Sequence, residues 1–128
     1  MNYTLLIMGP PYGTQNASTA FLFACAVTSS KNKLLSIFFH CDGTSNANKY
    51  ISLSSDEFNL VEKWEHLHHK HSVKLNVCIS AASRRGVFKK STKNQFFKNI
   101  DDVRSSFFFT GLSELARYIE KSDRVIQF

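Results

Sequence analysis

The chain has 128 residues, of which 43% are hydrophobic, and a formal net charge of +6. This size predicts a single domain over residues 1–128, and this apolar content argues against an intrinsically disordered chain. The positive charge suits an acidic partner or nucleic acid, but the sequence has no RNP-like motif, zinc-finger spacing or long basic run, so direct RNA binding by the chain is not expected.

The sequence also lacks targeting and membrane-spanning signals. The N-terminus has no basic region, and the apolar run over residues 5–8 is too short for a secretory signal. No apolar stretch approaches the roughly 20 residues of a membrane-spanning helix. We therefore expect a soluble, cytoplasmic protein whose three cysteines, Cys25, Cys41 and Cys78, are free thiols.

The first part of the chain predicts strand, helix, strand. Two apolar runs have strand character, and the Ala-rich segment between them predicts a buried helix with Ala20, Ala24 and Val27 toward the sheet. The second strand is apolar enough to be buried on both faces. The predicted bounds are residues 3–8 for the first strand, 17–28 for the helix, 34–40 for the second strand and 41–55 for a polar loop with one helical turn.

The rest of the chain continues the alternation with three helices and three strands. Acidic residues open the second helix, where the helix dipole favours them, and Gly86 ends the short third helix as a C-cap residue. The predicted bounds are residues 55–71, 80–85 and 111–121 for the helices and 73–78, 106–110 and 123–128 for the strands; the basic residues 87–103 predict a surface loop or irregular helix. On the second helix, Phe58, Val61, Trp64 and Leu67 recur at helical spacing, and on the last helix the expected inward residues are Leu112, Leu115, Ala116 and Ile119.

Strands that alternate with helices predict an α/β fold with a mostly parallel sheet covered on both faces. Such folds place their functional sites at the carboxyl ends of the strands. Residues 9–15, 40–48 and 78–85 should meet at this edge of the sheet.

Cys78 is the strongest candidate for chemistry because it lies between a buried strand and a short helix. Free helix N–H groups and the positive end of the dipole favour the reactive thiolate there. Arg84 and Arg85 follow about two turns on, and they would either add positive potential at Cys78 or dock an acidic partner. The alternative for Cys78 is a small buried apolar residue, the usual state of a free cysteine.

Other candidates carry weaker signals. The segment from Gly9 to Thr14 lacks the pattern of a phosphate-binding loop, and it forms either a rigid turn or a wall of a pocket around Cys78 that presents Tyr12. Cys25 is expected in the core, and Cys41 follows the second strand at the same edge as Cys78. The histidines between positions 66 and 71 lack a plausible set of further ligands, so no metal site is expected.

Short sequence blocks along essentially the whole chain match one known family. Each block is a weak signal alone, but their order and spacing together are specific. They are Gly9-Pro10, Tyr12-Gly13-Thr14-Gln15, Ala17-Ser18, Ala20-Phe21, Asn46-Ala47-Asn48, Ser55-Asp56-Glu57-Phe58, Leu60-Val61, Leu75-Asn76, Cys78, Arg84-Arg85-Gly86-Val87, and Ser113 through Asp123-Arg124-Val125 with Gln127-Phe128. In these blocks the chain resembles the DsrE-like sulfurtransferases. It departs from them mainly in residues 88–100 and in the histidine cluster.

The resemblance implies a three-layer α/β/α sandwich around a five-stranded, mainly parallel sheet. It implies that Cys78 carries sulfur as a persulfide, with no metal or organic cofactor. It also implies assembly with TusB-like and TusC-like subunits into a heterohexamer. Sulfur would arrive from a TusA-like donor, pass to a TusE-like acceptor, and end as the 2-thio group of wobble uridine in tRNA.

Two alternatives stay open at this point. The chain would otherwise be a non-catalytic structural subunit of such an assembly, with Cys78 merely packed. Or it would be a thiol redox sensor in which Cys78 and Cys41 form a disulfide.

Overall fold

The computed structural model describes residues 1–88 and 104–128. Most of the basic segment predicted as a loop or irregular helix, residues 87–103, lies outside these ranges. In chain order the elements are β1 (Asn2–Ile7), α1 (Asn16–Thr28), β2 (Lys33–Phe39), a 3-10 helix (Cys41–Ala47), α2 (Leu60–His71), β3 (Lys74–Cys78), α3 (Ile79–Ser83), β4 (Phe107–Thr110), α4 (Leu112–Lys121) and β5 (Arg124–Gln127).

The five strands form one sheet in the order β4-β3-β2-β1-β5. Every strand pairing in the described residues is parallel, and the helices supply the crossovers that parallel pairing requires. α1 and α2 cover one face of the sheet, and α4 lies on the other. α3 follows β3 at the edge and contributes Ala82 to the main core and Ala81 to the smaller cluster on the α4 face. The predicted three-layer α/β/α sandwich is therefore confirmed.

The main core lies between the sheet and the layer of α1 and α2. Side chains alternate along β1, so Leu5 and Ile7 both point into this core. Ala20, Ala24 and Val27 are buried on α1, as the sequence predicts. Their small size lets α1 approach the strands closely.

Trp64 fills the space between α2 and the sheet. Its ring makes edge-on contacts with Phe21 on α1 and Phe39 on β2, with centroid distances of 5.1 Å and 5.6 Å. Aromatic pairs of this kind contribute about 0.5–1.5 kcal/mol each beyond the area that they bury. Trp64 of α2 therefore packs against both α1 and the sheet.

The predicted start of α2 is wrong by about one turn. The helix begins at Leu60, because the side chain of Asn59 accepts a hydrogen bond from the backbone N–H of Glu62 (3.2 Å) and caps it. The earlier acidic residue Glu57 instead accepts from the N–H of Ser54 in a separate turn. Phe58, predicted to lie within the helix, therefore precedes it and is 54% exposed.

The predicted inward face of α4 is also largely wrong. Leu115 packs against a buried cluster, but Leu112 is 56% exposed and Ile119 is 46% exposed. The amphipathic pattern correctly predicts an apolar face, but it does not say what that face packs against.

No helix in residues 1–88 or 104–128 is long and apolar enough to span a membrane.

Candidate active site around Cys78

Cys78 ends β3 and is the residue from which α3 begins. Along β3, Leu75 and Val77 face the main core, so Cys78 points to the opposite face, where it is 4% exposed. Its surroundings are apolar: Phe38 and Ala81 are buried beside it, and Leu6 and Leu115 pack against them. The structure thus places the thiol at the predicted edge of the sheet, but beneath a thin apolar cover.

α3 is too short to contribute much dipole, since it spans five residues. Its first free N–H groups nevertheless follow Cys78 directly, and Ala81 and Ala82 are buried, so α3 lies close against β3. The local positive potential at Cys78 therefore comes from these first-turn N–H groups.

The three segments predicted to meet at the carboxyl edge of the sheet do meet there. The N–H of Gly43 in the 3-10 helix donates to the carbonyl of Met8 (2.9 Å), and the carboxylate of Asp42 accepts from Arg85 Nε (2.8 Å). A Cβ atom on Gly43 would lie 2.1 Å from the carbonyl oxygen of Ile7, so only glycine fits at this contact.

Asn46 joins these segments to α2. Its buried side-chain amide donates to the carbonyls of Gly9 (3.1 Å) and Gly43 (2.9 Å). Its carbonyl oxygen accepts from the indole N–H of Trp64 (3.0 Å). Each of these partners is a backbone carbonyl or a buried side chain, so Asn46 holds the segment after β1, the 3-10 helix and α2 together.

Cys41 begins the 3-10 helix, two positions after the end of β2, the strand next to β3. Its Sγ is 3.0 Å from His40 Nδ1, and its backbone adopts φ = +49°, a left-handed conformation uncommon for a residue with a side chain. All three cysteines are free thiols. The sequence did not single out His40, since nothing in the pattern indicates which way a residue after a strand points.

Arg84 and Arg85 differ in their environments. Arg85 binds Asp42, and its guanidinium also donates to the carbonyl of Ala81 (3.1 Å). Arg84 is exposed, and its side chain makes no hydrogen bond or ion pair within the described residues. Only Arg84 is therefore available to an incoming acidic group without breaking an existing contact.

Tyr12 contacts the α2 side of the molecule. Its O–H donates to the carbonyl of Phe58 (3.1 Å). Burial and the nearby Glu57 carboxylate raise the pKa of the Tyr12 phenol, and the N–H of Leu60 partly offsets this. No hydrogen bond in the described part of the chain joins Tyr12 to Cys78.

Cys25 and the histidine cluster serve packing. Cys25 is half-buried against the main core, and burial raises the pKa of its thiol. His68 Nδ1 lies 2.8 Å from the carbonyl of Val73, and His69 Nε2 lies 3.3 Å from Ser106 Oγ. No group of His, Cys, Asp or Glu in residues 1–88 and 104–128 is arranged to hold a metal ion.

Thr110 is a neighbour of Cys78 that sequence analysis missed. It ends β4, where it is the residue paired with Cys78 across the two parallel strands. Its hydroxyl oxygen is buried without a hydrogen-bond partner in the described residues. The only signal in the sequence was a polar residue at the carboxyl end of a predicted strand.

The sequence model of the DsrE/DsrF-like family matches residues 1–128. The chain belongs to this family. It is 57% identical over 130 residues to the protein named sulfurtransferase TusD of Buchnera aphidicola subsp. Baizongia pistaciae, with 100% of both chains covered. It is 44% identical over 128 residues to that of Pectobacterium atrosepticum, covering 100% of this chain and 99% of the relative. The predicted resemblance to sulfurtransferases, and to TusD among them, is confirmed.

A solved structure supports the fold independently. The crystal structure of the ychN protein from E. coli matches with a TM-score of 0.77 over 100% of both chains, at 20% sequence identity. At this identity the match concerns the fold alone. It agrees with the layered arrangement that places Cys78 at the edge of the sheet.

Proposed function

We propose that this chain is the sulfur-carrying subunit of a cytoplasmic sulfur relay and holds sulfur as a persulfide on Cys78. The main supporting observation is the position of this thiol, which ends a central parallel strand and immediately precedes a helix. This is the edge where α/β folds bind ligands and carry reactive groups. Three free thiols suit a reducing compartment.

The proposed chemistry is two successive thiol exchanges at Cys78. The Cys78 thiolate attacks the outer sulfur of the donor's persulfide; the donor's S–S bond breaks and its cysteine leaves as a thiolate. The acceptor's cysteine thiolate then attacks the outer sulfur on Cys78, and Cys78 leaves as a thiolate. Each step replaces one S–S bond with another, so neither needs an oxidant, a reductant or a cofactor.

The low exposure of Cys78 supports a protected carrier. At 4% exposure its sulfur is largely hidden from small thiols in solution, which would otherwise remove the persulfide. The cover includes Leu115 of α4, a half-buried side chain that docking of a partner can displace. Access would thus be coupled to binding of the donor or acceptor.

The exposed apolar residues support assembly with other subunits. α4 contains no buried residue, and three of the four residues of β5, the next element in the chain, are exposed. Apolar surface of this kind usually marks a protein interface. The exposed large apolar residues in this region are Leu112, Ile119 and Val125. We propose TusB-like and TusC-like subunits in a heterohexamer as the partners that cover them.

The finer parts of the proposed relay follow from the TusD resemblance. Sulfur would arrive from a TusA-like donor and leave to a TusE-like acceptor, for 2-thiolation of tRNA wobble uridine. The chain itself would not bind tRNA, since its basic residues form no continuous run. Arg84 would contact an acidic partner, and Arg85 and Tyr12 would hold the edge together.

Mass spectrometry of the assembled protein tests the proposal. After incubation with a persulfidated donor, we expect an adduct of about 32 Da, one sulfur atom, on Cys78. Cys78→Ser should assemble but carry no sulfur, and Cys25→Ser and Cys41→Ser should carry it normally. Normal sulfur transfer by Cys78→Ser would refute the proposal.

A non-catalytic subunit is the second candidate, because a buried cysteine can also serve as a packing residue alone. In that case Cys78 would be alkylated more slowly than the half-buried Cys25 and Cys41, even in the presence of a donor. For a carrier, binding of the donor or acceptor should instead expose Cys78 and speed its alkylation above that of Cys25.

A further inference from the structure

Cys78 and Thr110 occupy directly opposed positions on neighbouring parallel strands. Side chains at paired positions point to the same face of a sheet, and adjacent strands lie about 4.8 Å apart. The Thr110 side chain therefore stands beside the thiol on the face that carries α4. This pairing comes from strand register, so it does not depend on the rotamer of either residue.

The hydroxyl of Thr110 is unusual among the threonines of this protein. Three other threonines in the described ranges are buried or half-buried, and all of them form hydrogen bonds. Thr28 donates to the carbonyl of Ala24 (3.0 Å), Thr44 donates to the carbonyl of Cys41 (2.9 Å), and Thr4 accepts from Ser122 (2.8 Å). Thr110 Oγ1 alone among them is buried without a partner. An unpaired buried hydroxyl is destabilising, and it is free to donate to a group that the sulfur-free protein does not carry.

The other buried or half-buried polar side chains that the structure describes near Cys78 already have partners. On the same face of the sheet, Asn76 donates to Ser36 Oγ (2.8 Å). His40 contacts Cys41, and Asn46 uses both ends of its amide. Thr110 thus has the uncommitted donor next to the sulfur.

We propose that Thr110 is a positioning residue whose hydroxyl donates a hydrogen bond to the persulfide on Cys78. This inference rests on the proposed function. A persulfide places its outer sulfur about 2.05 Å beyond Sγ, and a sulfur that carries negative charge accepts hydrogen bonds better than a thiol. Cys78 Sγ makes no hydrogen bond in the described residues, and strand pairing holds Thr110 beside it before sulfur arrives.

The N-terminus of α4 also favours a negative charge on the outer sulfur of the persulfide. α4 begins two positions after Thr110, and its N-cap residue, Gly111, supplies no side-chain cap. Its free N–H groups therefore start at the edge where the outer sulfur would lie. The hydroxyl and these N–H groups would together stabilise the negative charge on the outer sulfur until the acceptor binds.

The test compares Thr110→Val and Thr110→Ser in the assembled complex. Each complex is loaded from a persulfidated TusA-like donor protein and then challenged with reduced glutathione, and mass spectrometry follows the sulfur on Cys78. Thr110→Val should shorten the half-life of the persulfide about tenfold, the effect of losing one hydrogen bond to a charged group. Thr110→Ser keeps the hydroxyl and should stay within about twofold of the wild-type half-life.

Further variants separate this role from a structural one. Thr28→Val removes a hydroxyl that bonds only within α1, so it should leave the half-life unchanged. If Thr110→Val fails to assemble, the pair Thr110→Ala and Thr110→Ser gives the same comparison with smaller side chains. Melting of the sulfur-free complex reports the fold, and Thr110→Val should melt no lower than the wild type, because its unpaired hydroxyl is lost.

The outcomes distinguish the two ideas. If wild type and Thr110→Val hold sulfur on Cys78 with equal half-lives, the role of Thr110 is refuted and the proposed function stands. If the wild-type complex never acquires sulfur on Cys78, both are refuted.

Discussion

Arg85 Nε lies 2.8 Å from Asp42 Oδ1, and this ion pair joins the residues that follow α3 to the 3-10 helix after β2. The Asp42 carboxylate offsets the positive charge of Arg85, so Arg85 is poorly suited to favour a thiolate at Cys78. The neighbouring Arg84 keeps its full charge on the surface. From the sequence alone, Arg84 and Arg85 had the same two possible roles, whereas the structure gives them different surroundings.

Replacing each arginine by glutamine should therefore give different results. Arg84→Gln should slow sulfur transfer to or from an acidic partner several-fold at low salt, and the difference from wild type should shrink as salt screens the charge. Arg85→Gln should lower the free energy of unfolding by less than about 1 kcal/mol, because the pair is solvent-exposed. Transfer rates at several salt concentrations, with urea denaturation, measure both. Equal effects of the two substitutions on transfer would contradict this division.

Asn46→Ala should be strongly destabilising. The substitution leaves the indole N–H of Trp64 and the carbonyls of Gly9 and Gly43 without their partner, in a buried site. We expect the free energy of unfolding to fall by about 2–4 kcal/mol, measured by urea denaturation. Asn48→Ala is the control: its side chain accepts one exposed hydrogen bond from the N–H of Tyr50, so it should cost less than about 1 kcal/mol. A similar loss in both variants would count against the Asn46 network.

The exposed face of α4 should be needed for assembly rather than for folding. Leu112→Gln and Ile119→Gln should leave the free energy of unfolding of the isolated chain within about 0.5 kcal/mol of wild type. They should weaken association with TusB-like and TusC-like subunits in co-expression and size-exclusion experiments. Leu115→Ala provides the contrast, because Leu115 packs against the cluster around Cys78 and its loss should destabilise the chain itself. Wild-type elution of both glutamine variants with their partners would show that another surface mediates assembly.

The alkylation of Cys25 should require a higher pH than that of a free cysteine. Burial raises the pKa of its thiol, and Lys70 and Lys63 lower it in part. Replacing Lys70 by glutamine should therefore raise the pKa further and slow the reaction with iodoacetamide, while Lys74→Gln should leave it unchanged. The raised pKa also means that this thiol favours the folded state below the ordinary pKa of cysteine, and that this contribution is lost as the pH rises through the folded value. A pH profile for Cys25 that matches a model peptide would contradict the prediction.

The strands, and α1, could be predicted because their apolar residues are continuous or regularly spaced. Cys78 could be placed at the edge of the sheet for the same reason, since a buried strand ends at it. The start of α2 could not be predicted, because Asn59 and the acidic residues before it are all acceptable caps, and only the fold selects one.

The neighbours of Cys78 required the structure. Thr110 is paired with Cys78 through the register of β3 and β4, which are far apart in the sequence. The uncovered face of α4 has the same pattern as a buried face, so a sequence cannot distinguish a core from an interface there. His40 and Cys41 approach each other through a left-handed backbone at Cys41 that no local pattern indicates.

The position of β3 between β2 and β4 also matters while the protein is being made. β2 precedes β3 in the chain, so it is available for pairing when β3 leaves the ribosome, whereas β4 is synthesised later. Until β4 and α4 arrive, the nascent chain presents an open strand edge and an uncovered Cys78 to glutathione and to other chains. Damage to the thiol by oxidation should thus be greatest in newly made molecules, and partner subunits that bind early would shorten that period.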